Sequence, residues 1–261
     1  MSDRPAHPAV LLVGHGTRDQ TGQQEFLCLA QRARERLADA RVQPAFLELA
    51  APSIAEGLAT LDPHPDELLI VVPVLLFAAR HVKRDIPDAI EEGLRAAFPS
   101  RAINVRYASH LGCDPELLQL SAARFWQAYR TLGTPPLEHC TSLFVGRGTS
   151  DPDAIDEACR FTELRHKATP TGNSRLCFVA AQPPSLATTL RELESRTPGP
   201  LIVQPHLLFH GHVLEQIRHD LRAWADANHG WDVGFADHLG PDPALVELIE
   251  RRVRTELQAN R

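Results

Sequence analysis

The sequence predicts an α/β protein made of two tandem copies of one domain, each a parallel four-stranded sheet flanked by helices. Three observations carry this prediction. First, Leu11-Leu12-Val13-Gly14-His15-Gly16-Thr17-Arg18-Asp19 returns 132 positions later as Leu143-Phe144-Val145-Gly146-Arg147-Gly148-Thr149-Ser150-Asp151. Second, the same offset carries Pro52-Ser53 onto Pro184-Ser185 and Pro73 through Phe77 onto Pro205 through Phe209. His110-Leu111-Gly112 returns as His238-Leu239-Gly240 at an offset of 128, so the second copy is four residues shorter late in its length. Third, short apolar runs alternate with amphipathic stretches in both copies, the pattern of buried parallel strands joined by crossover helices.

In the first copy, apolar runs place strands near 9–14, 42–48, 67–73 and 102–107, and the amphipathic stretches place helices near 20–39, 53–61, 85–98 and 114–131. The second copy repeats this order. Asp114-Pro115 and Asp242-Pro243 each set an N-cap acid before a proline at the first helical position, and Ser53 and Pro87 mark two further helix starts. The segment Thr131-Leu132-Gly133-Thr134-Pro135-Pro136-Leu137 interrupts any helix and reads as the linker. The expected domains are therefore 1–132 and 139–261.

Composition removes several classes of function. A net charge of −6 opposes a general nucleic-acid binder, which needs a basic surface to displace counterions. The longest apolar run, Leu68 to Ala79, is too short to span a membrane and contains Pro73. No signal-like segment precedes the first strand, and the five cysteines lack metal-type or disulfide-type spacing, so a cytoplasmic protein with reduced thiols is expected. Neither lysine, Lys83 or Lys167, lies in a phosphate-cradling loop of the Walker type.

The internal repeat also separates frame from chemistry. Gly14, Gly16, Phe46, Pro52, Ser53, Pro73 and Phe77 have identical partners in the second copy and read as scaffold. His15 stands against Arg147, Glu48 against Ala180 and His81 against Val213, so a reactive set is confined to the first copy. All three fall at or just past strand ends, where open parallel sheets bind ligands. Two imidazoles and a carboxylate suit a divalent first-row metal, and can also accept protons near neutral pH. Arg18, Arg80, Lys83 and Arg84 surround the set with positive charge, which suits an anionic ligand. Each residue has a plainer alternative: a histidine bonded within a glycine turn, a strand-end salt bridge for Glu48, a solvated basic loop around His81. Their joint loss from one copy favours chemistry. In the second copy, His206, His210 and His212 form a His-x-x-x-His-x-His pattern, read either as an auxiliary metal-loading site or as ordinary loop residues.

These motifs, with Phe46-Leu47-Glu48-Leu49-Ala50-Ala51-Pro52-Ser53-Ile54 and Val72 through Pro87, resemble the class II tetrapyrrole chelatases, specifically the long two-repeat form of the sirohydrochlorin cobaltochelatase (CbiX) family. The resemblance implies two chelatase-like, flavodoxin-like domains around a cleft. It also implies ATP-independent insertion of Co²⁺ into sirohydrochlorin on the way to cobalamin, with Fe²⁺ insertion for siroheme or Ni²⁺ insertion as alternatives. On that reading His15, Glu48 and His81 are the catalytic and metal-binding set, and Arg18, Arg80, Lys83 and Arg84 meet the substrate's carboxylates. No permanent cofactor is implied, the metal being a substrate, and a monomer is expected. Two readings from other classes stay open. A histidine phosphatase would have arginine where Gly14 stands, and a tetrapyrrole or metal carrier would bind without turnover.

Overall fold

The computed structural model describes residues 7–77 and 81–259, with the His81 side chain outside that description. In the first half, strands β1 (Ala9–Gly14), β2 (Arg41–Phe46), β3 (Leu68–Pro73) and β4 (Asn104–Tyr107) alternate with helices α1 (Gln20–Arg36), α2 (Ile54–Leu61), α3 (Ile86–Ala97) and α4 (Pro115–Thr131). The second half continues with β5 (Thr141–Gly146), α5 (Pro152–Ala168), β6 (Asn173–Phe178), α6 (Leu186–Glu194), β7 (Pro200–Pro205), α7 (His212–Ala227), β8 (Asp232–Phe235) and α8 (Pro243–Gln258). The sheets run β2-β1-β3-β4 and β6-β5-β7-β8, with every pairing parallel. The registers repeat as well: Gly14 lies opposite Phe46 as Gly146 lies opposite Phe178.

The central strands are apolar because helices cover both their faces. Every residue of β1 and β3 is buried, whereas the edge strand β4 is exposed at both ends. Along β1, Leu11 and Val13 face α2 and α3 in a cluster with Ile54, Leu58, Ile86 and Ile90. The second copy builds the same layer from Leu143, Val145, Leu190 and Ile217. Period-two alternation sends the intervening residues to the opposite face.

The compact units differ from the partition expected from the repeat at 1–132 and 139–261. One unit holds the described residues to Gly112 together with those from Gly240, and the other holds Cys113–Leu239. Helix α8, from the second repeat, packs on α1 and β3, and α4, from the first repeat, packs on α5, β7 and β8. The physical cause is that each central sheet has a second apolar face to cover. On α8, Leu245, Leu248, Ile249 and Val253 are buried. Polar bonds add to this packing: Arg36 Nε lies 2.6 Å from Glu250 Oε2 in the middle of α8, and Arg106 Nη1 donates to the Glu256 carbonyl near its C-terminus at 3.0 Å. Among the described residues no helix is long and apolar enough to cross a membrane.

Candidate functional site

The first unit's rim begins where β1 runs into the Gly14-His15-Gly16-Thr17 turn. Gly16 sits at φ +98°, and a Cβ there would lie 1.7 Å from the Glu48 carbonyl oxygen, so only glycine lets the β1 and β2 exits approach this closely. Two main-chain bonds join these exits: Leu47 N–H donates to the Gly14 carbonyl at 2.9 Å, and Glu48 N–H to the His15 carbonyl at 3.0 Å. The strand predicted to 48 therefore ends at Phe46, and Glu48 belongs to the turn beyond it, followed by Leu49 in the left-handed region at φ 63°. The α1 start is bonded back to the same loop. Asp19 Oδ1 accepts from Gly22 N–H, Thr17 Oγ1 accepts from Asp19 N–H, and Gln23 Nε2 donates to the Thr17 carbonyl.

This frame brings two of the three predicted residues together. His15 Nδ1 lies 3.6 Å from Glu48 Oε1 and 3.3 Å from the Gly16 carbonyl oxygen. Both neighbours are acceptors, which favours the tautomer with the proton on Nδ1 and makes Nε2 the basic nitrogen of the ring. The His15 side chain is 21 % exposed and that of Glu48 49 %, so solvent-borne ligands can reach both. The third residue, His81, opens a π-helical turn, His81–Asp85, that leads into α3. A single π turn inside or beside a helix is the kind of irregularity found at functional positions. Arg18, Lys83 and Arg84 are exposed on this unit, and Arg80 lies outside the described residues.

The second unit keeps the frame without the reactive groups. Gly148 repeats the positive φ at +94°, and Ala180 N–H donates to the Arg147 carbonyl as Glu48 N–H does to that of His15. Arg147 is exposed, and Val213 is taken into α7.

His206, His210 and His212, read from the sequence either as an auxiliary metal-loading site or as ordinary loop residues, fall in different environments. His206 extends β7 by one residue, its N–H bonded to the Val145 carbonyl at 2.8 Å, and the strand alternation turns its ring inward. Only 2 % of it is exposed, with its ring centroid 4.3 Å from that of Phe161 and 5.0 Å from that of Phe144. Desolvation, assisted by the Arg165 charge, pushes its pKa down to about 3. His210 instead lies at the surface, Nε2 3.1 Å from Glu215 Oε1, and His212 is exposed at the first position of α7. Among the described residues, no group of three or more His, Cys, Asp or Glu side chains is arranged to hold a metal.

Sequence reasoning missed a buried polar cluster in the second unit. Arg165 Nε donates to Ser121 Oγ and Nη2 to Gln204 Oε1, both at 3.0 Å, while Gln204 Nε2 donates to the Ser121 carbonyl at 2.6 Å. Burial lowers the Arg165 pKa to about 10. The signal was present in the repeat, since the first copy has Ala33 and Val72 where the second has Arg165 and Gln204.

The chain is similar to known proteins along nearly its whole length. The chain is 29 % identical over 252 residues to the sirohydrochlorin ferrochelatase of Bacillus subtilis, covering 97 % of this chain and 92 % of that protein. It is 26 % identical over 251 residues to the sirohydrochlorin cobaltochelatase of Priestia megaterium, covering 96 % of this chain and 80 % of that one. Among solved structures, SirB from Bacillus subtilis with Fe³⁺ superposes with a TM-score of 0.80 at 27 % identity, covering 95 % of this chain and 94 % of that one. The CbiX family model matches residues 9–128 and again 141–256, which are the two repeats. The chain belongs to the CbiX family.

Proposed function

We propose that the protein inserts a divalent first-row metal ion into sirohydrochlorin, using a site on the rim of its first unit. The observation that carries this reading is the apposition of His15 and Glu48, at 3.6 Å, on a frame whose second copy holds Arg147 and Ala180 instead. Insertion removes two pyrrole N–H protons as a dication enters, so the charge of the macrocycle is unchanged, but bases and temporary ligands are needed in one place. His15 Nε2 supplies a lone pair for the ion or a proton. Glu48 offsets the positive charge that then builds on the imidazole. His81 supplies the second imidazole, and Arg18, Arg80, Lys83 and Arg84 hold the substrate's carboxylates by charge-assisted bonds. Nothing in this scheme calls for nucleotide hydrolysis or a resident cofactor.

For the metal we propose Co²⁺, with Fe²⁺ as the second reading. The likeness to the Bacillus subtilis ferrochelatase favours iron, and that to the Priestia megaterium cobaltochelatase favours cobalt. Nitrogen and oxygen donors accept both ions, so supply and geometry decide between them. The five free cysteines support work in a reducing, cytoplasmic compartment, and the tandem repeat supports a monomer. The test is the initial rate of metallation of sirohydrochlorin by purified protein with Co²⁺, Fe²⁺ or Ni²⁺, followed by the absorption change of the macrocycle. His15→Ala should remove nearly all catalysis. Stoichiometric binding without accelerated metallation would make the protein a carrier instead.

A further inference from the structure

Arg252, on α8, donates through Nη2 to the carbonyl oxygens of His110 at 3.2 Å and Leu111 at 3.4 Å. These residues follow β4, and the amides beside them point the other way. Leu111 N–H donates to the Leu75 carbonyl at 2.9 Å and Gly112 N–H to that of Leu76 at 3.0 Å. Leu75 and Leu76 are the stem by which the chain leaves β3 on its way to His81. One guanidinium is thus connected, through two peptide units, to the base of the segment that bears a predicted ligand.

The second unit contains the same device without the chemistry. Arg124, 128 positions earlier, donates through Nε to the His238 carbonyl at 3.0 Å and through Nη2 to that of Leu239 at 3.2 Å, and Leu239 N–H donates to the Leu207 carbonyl at 2.9 Å. Both arginines serve folding. Only Arg252 anchors a stem that leads to a histidine of the reactive set, because Val213 stands in the other copy.

We propose that Arg252 is a positioning residue for metal insertion: it holds the Leu75–Leu76 stem, from which the chain continues to His81. This rests on the function proposed above. The planar guanidinium reaches two carbonyls from one nitrogen, and a lysine ammonium, with three donors on a flexible stem, can keep part of that contact. Catalytic groups displaced by about 1 Å can lose on the order of a hundredfold in rate, so even slack in the stem should register.

The experiment compares Arg252→Ala, Arg252→Lys, Arg124→Ala and His15→Ala in the full chain by insertion kinetics, Co²⁺ titration and thermal melting. Arg252→Ala is expected to lower kcat by roughly tenfold with the KM for sirohydrochlorin little changed, and to weaken Co²⁺ binding. Arg252→Lys should recover most of that loss. Arg124→Ala should show a comparable fall in Tm with near wild-type kcat. Equal effects of Arg252→Ala and Arg124→Ala on kcat, or no gain from lysine at matched Tm, would overturn the proposal. If Arg252→Ala fails to fold, Arg252→Lys against Arg124→Lys decides it, a kcat loss confined to Arg252→Lys being the expected result and equal kcat the overturning one. The reading beneath it is tested separately: His15→Ala as fast as wild type would remove the site itself.

Discussion

Glu48 meets His15 through both its backbone and its side chain: its amide donates to the His15 carbonyl at 3.0 Å, and its carboxylate oxygen lies 3.6 Å from His15 Nδ1. The main-chain bond is repeated by Ala180 and Arg147, so the backbone approach is scaffold, and the carboxylate is what the first copy adds. A carboxylate beside a ligating imidazole orients the ring and raises its basicity. Glu48→Gln keeps the shape and removes the charge. Its expected cost is about 10–100-fold in Co²⁺ affinity or insertion rate, read by metal titration and initial rates. Wild-type values for both would show that Glu48 is only a strand-end partner.

Gly16→Ala should destabilise the first unit by more than about 2 kcal/mol, since it adds a left-handed strain to a collision with the Glu48 carbonyl. Gly148→Ala meets the Ala180 carbonyl at 1.9 Å and should cost a similar amount. Denaturant unfolding measures the two costs. Residual insertion activity should fall much further for Gly16→Ala, because only that turn carries His15.

His206→Val restores what the first copy has at Val74, which is 1 % exposed. The His206 pKa is depressed to about 3 in the folded state, whereas an unfolded histidine titrates near about 6.5. Between those values the unfolded chain binds the extra proton, so this residue removes stability as pH falls from about 6.5 toward 3, by at most about 1.4 kcal/mol per pH unit. Unfolding at pH 7 and at pH 4.5 should therefore show a gain for the valine variant that grows on the acid side. Its metal dependence should match wild type, and a raised metal requirement would return His206 to a loading role.

The buried Arg165 cluster predicts non-additive mutations. Gln204→Val alone leaves Arg165 Nη2 and the Ser121 carbonyl without their bonds, and should cost about 1–3 kcal/mol. Adding Arg165→Leu removes the buried charge as well and should recover most of that loss, because a well-packed apolar replacement of a buried ionic group is often neutral or better. Additive losses in a double-mutant cycle measured by urea unfolding would contradict this.

Much of this was legible from residues 1–261 alone, because the chain contains its own comparison. Continuous apolar runs such as Ala9–Gly14 and Leu68–Pro73, alternating with amphipathic stretches, together with repeated caps at Asp114 and Asp242, determined strand and helix order in both halves. The contrast of His15 and Glu48 with Arg147 and Ala180 picked out the two residues that the fold brings together. Tertiary structure decided the rest. A strand continued by one residue turned His206 from rim to core, an alternation that its partner Val74 already implied. Burial of Arg165 depended on which faces of α4, α5 and β7 met. The assignment of α4 to the second unit and α8 to the first depended on distant apolar faces finding cover. Local sequence sets the period, the caps and the turns, because these arise from bonds and sterics among near neighbours. Which helix covers which sheet, and whether a polar side chain faces water or core, is settled by contacts between residues far apart in the chain, and no local pattern records them.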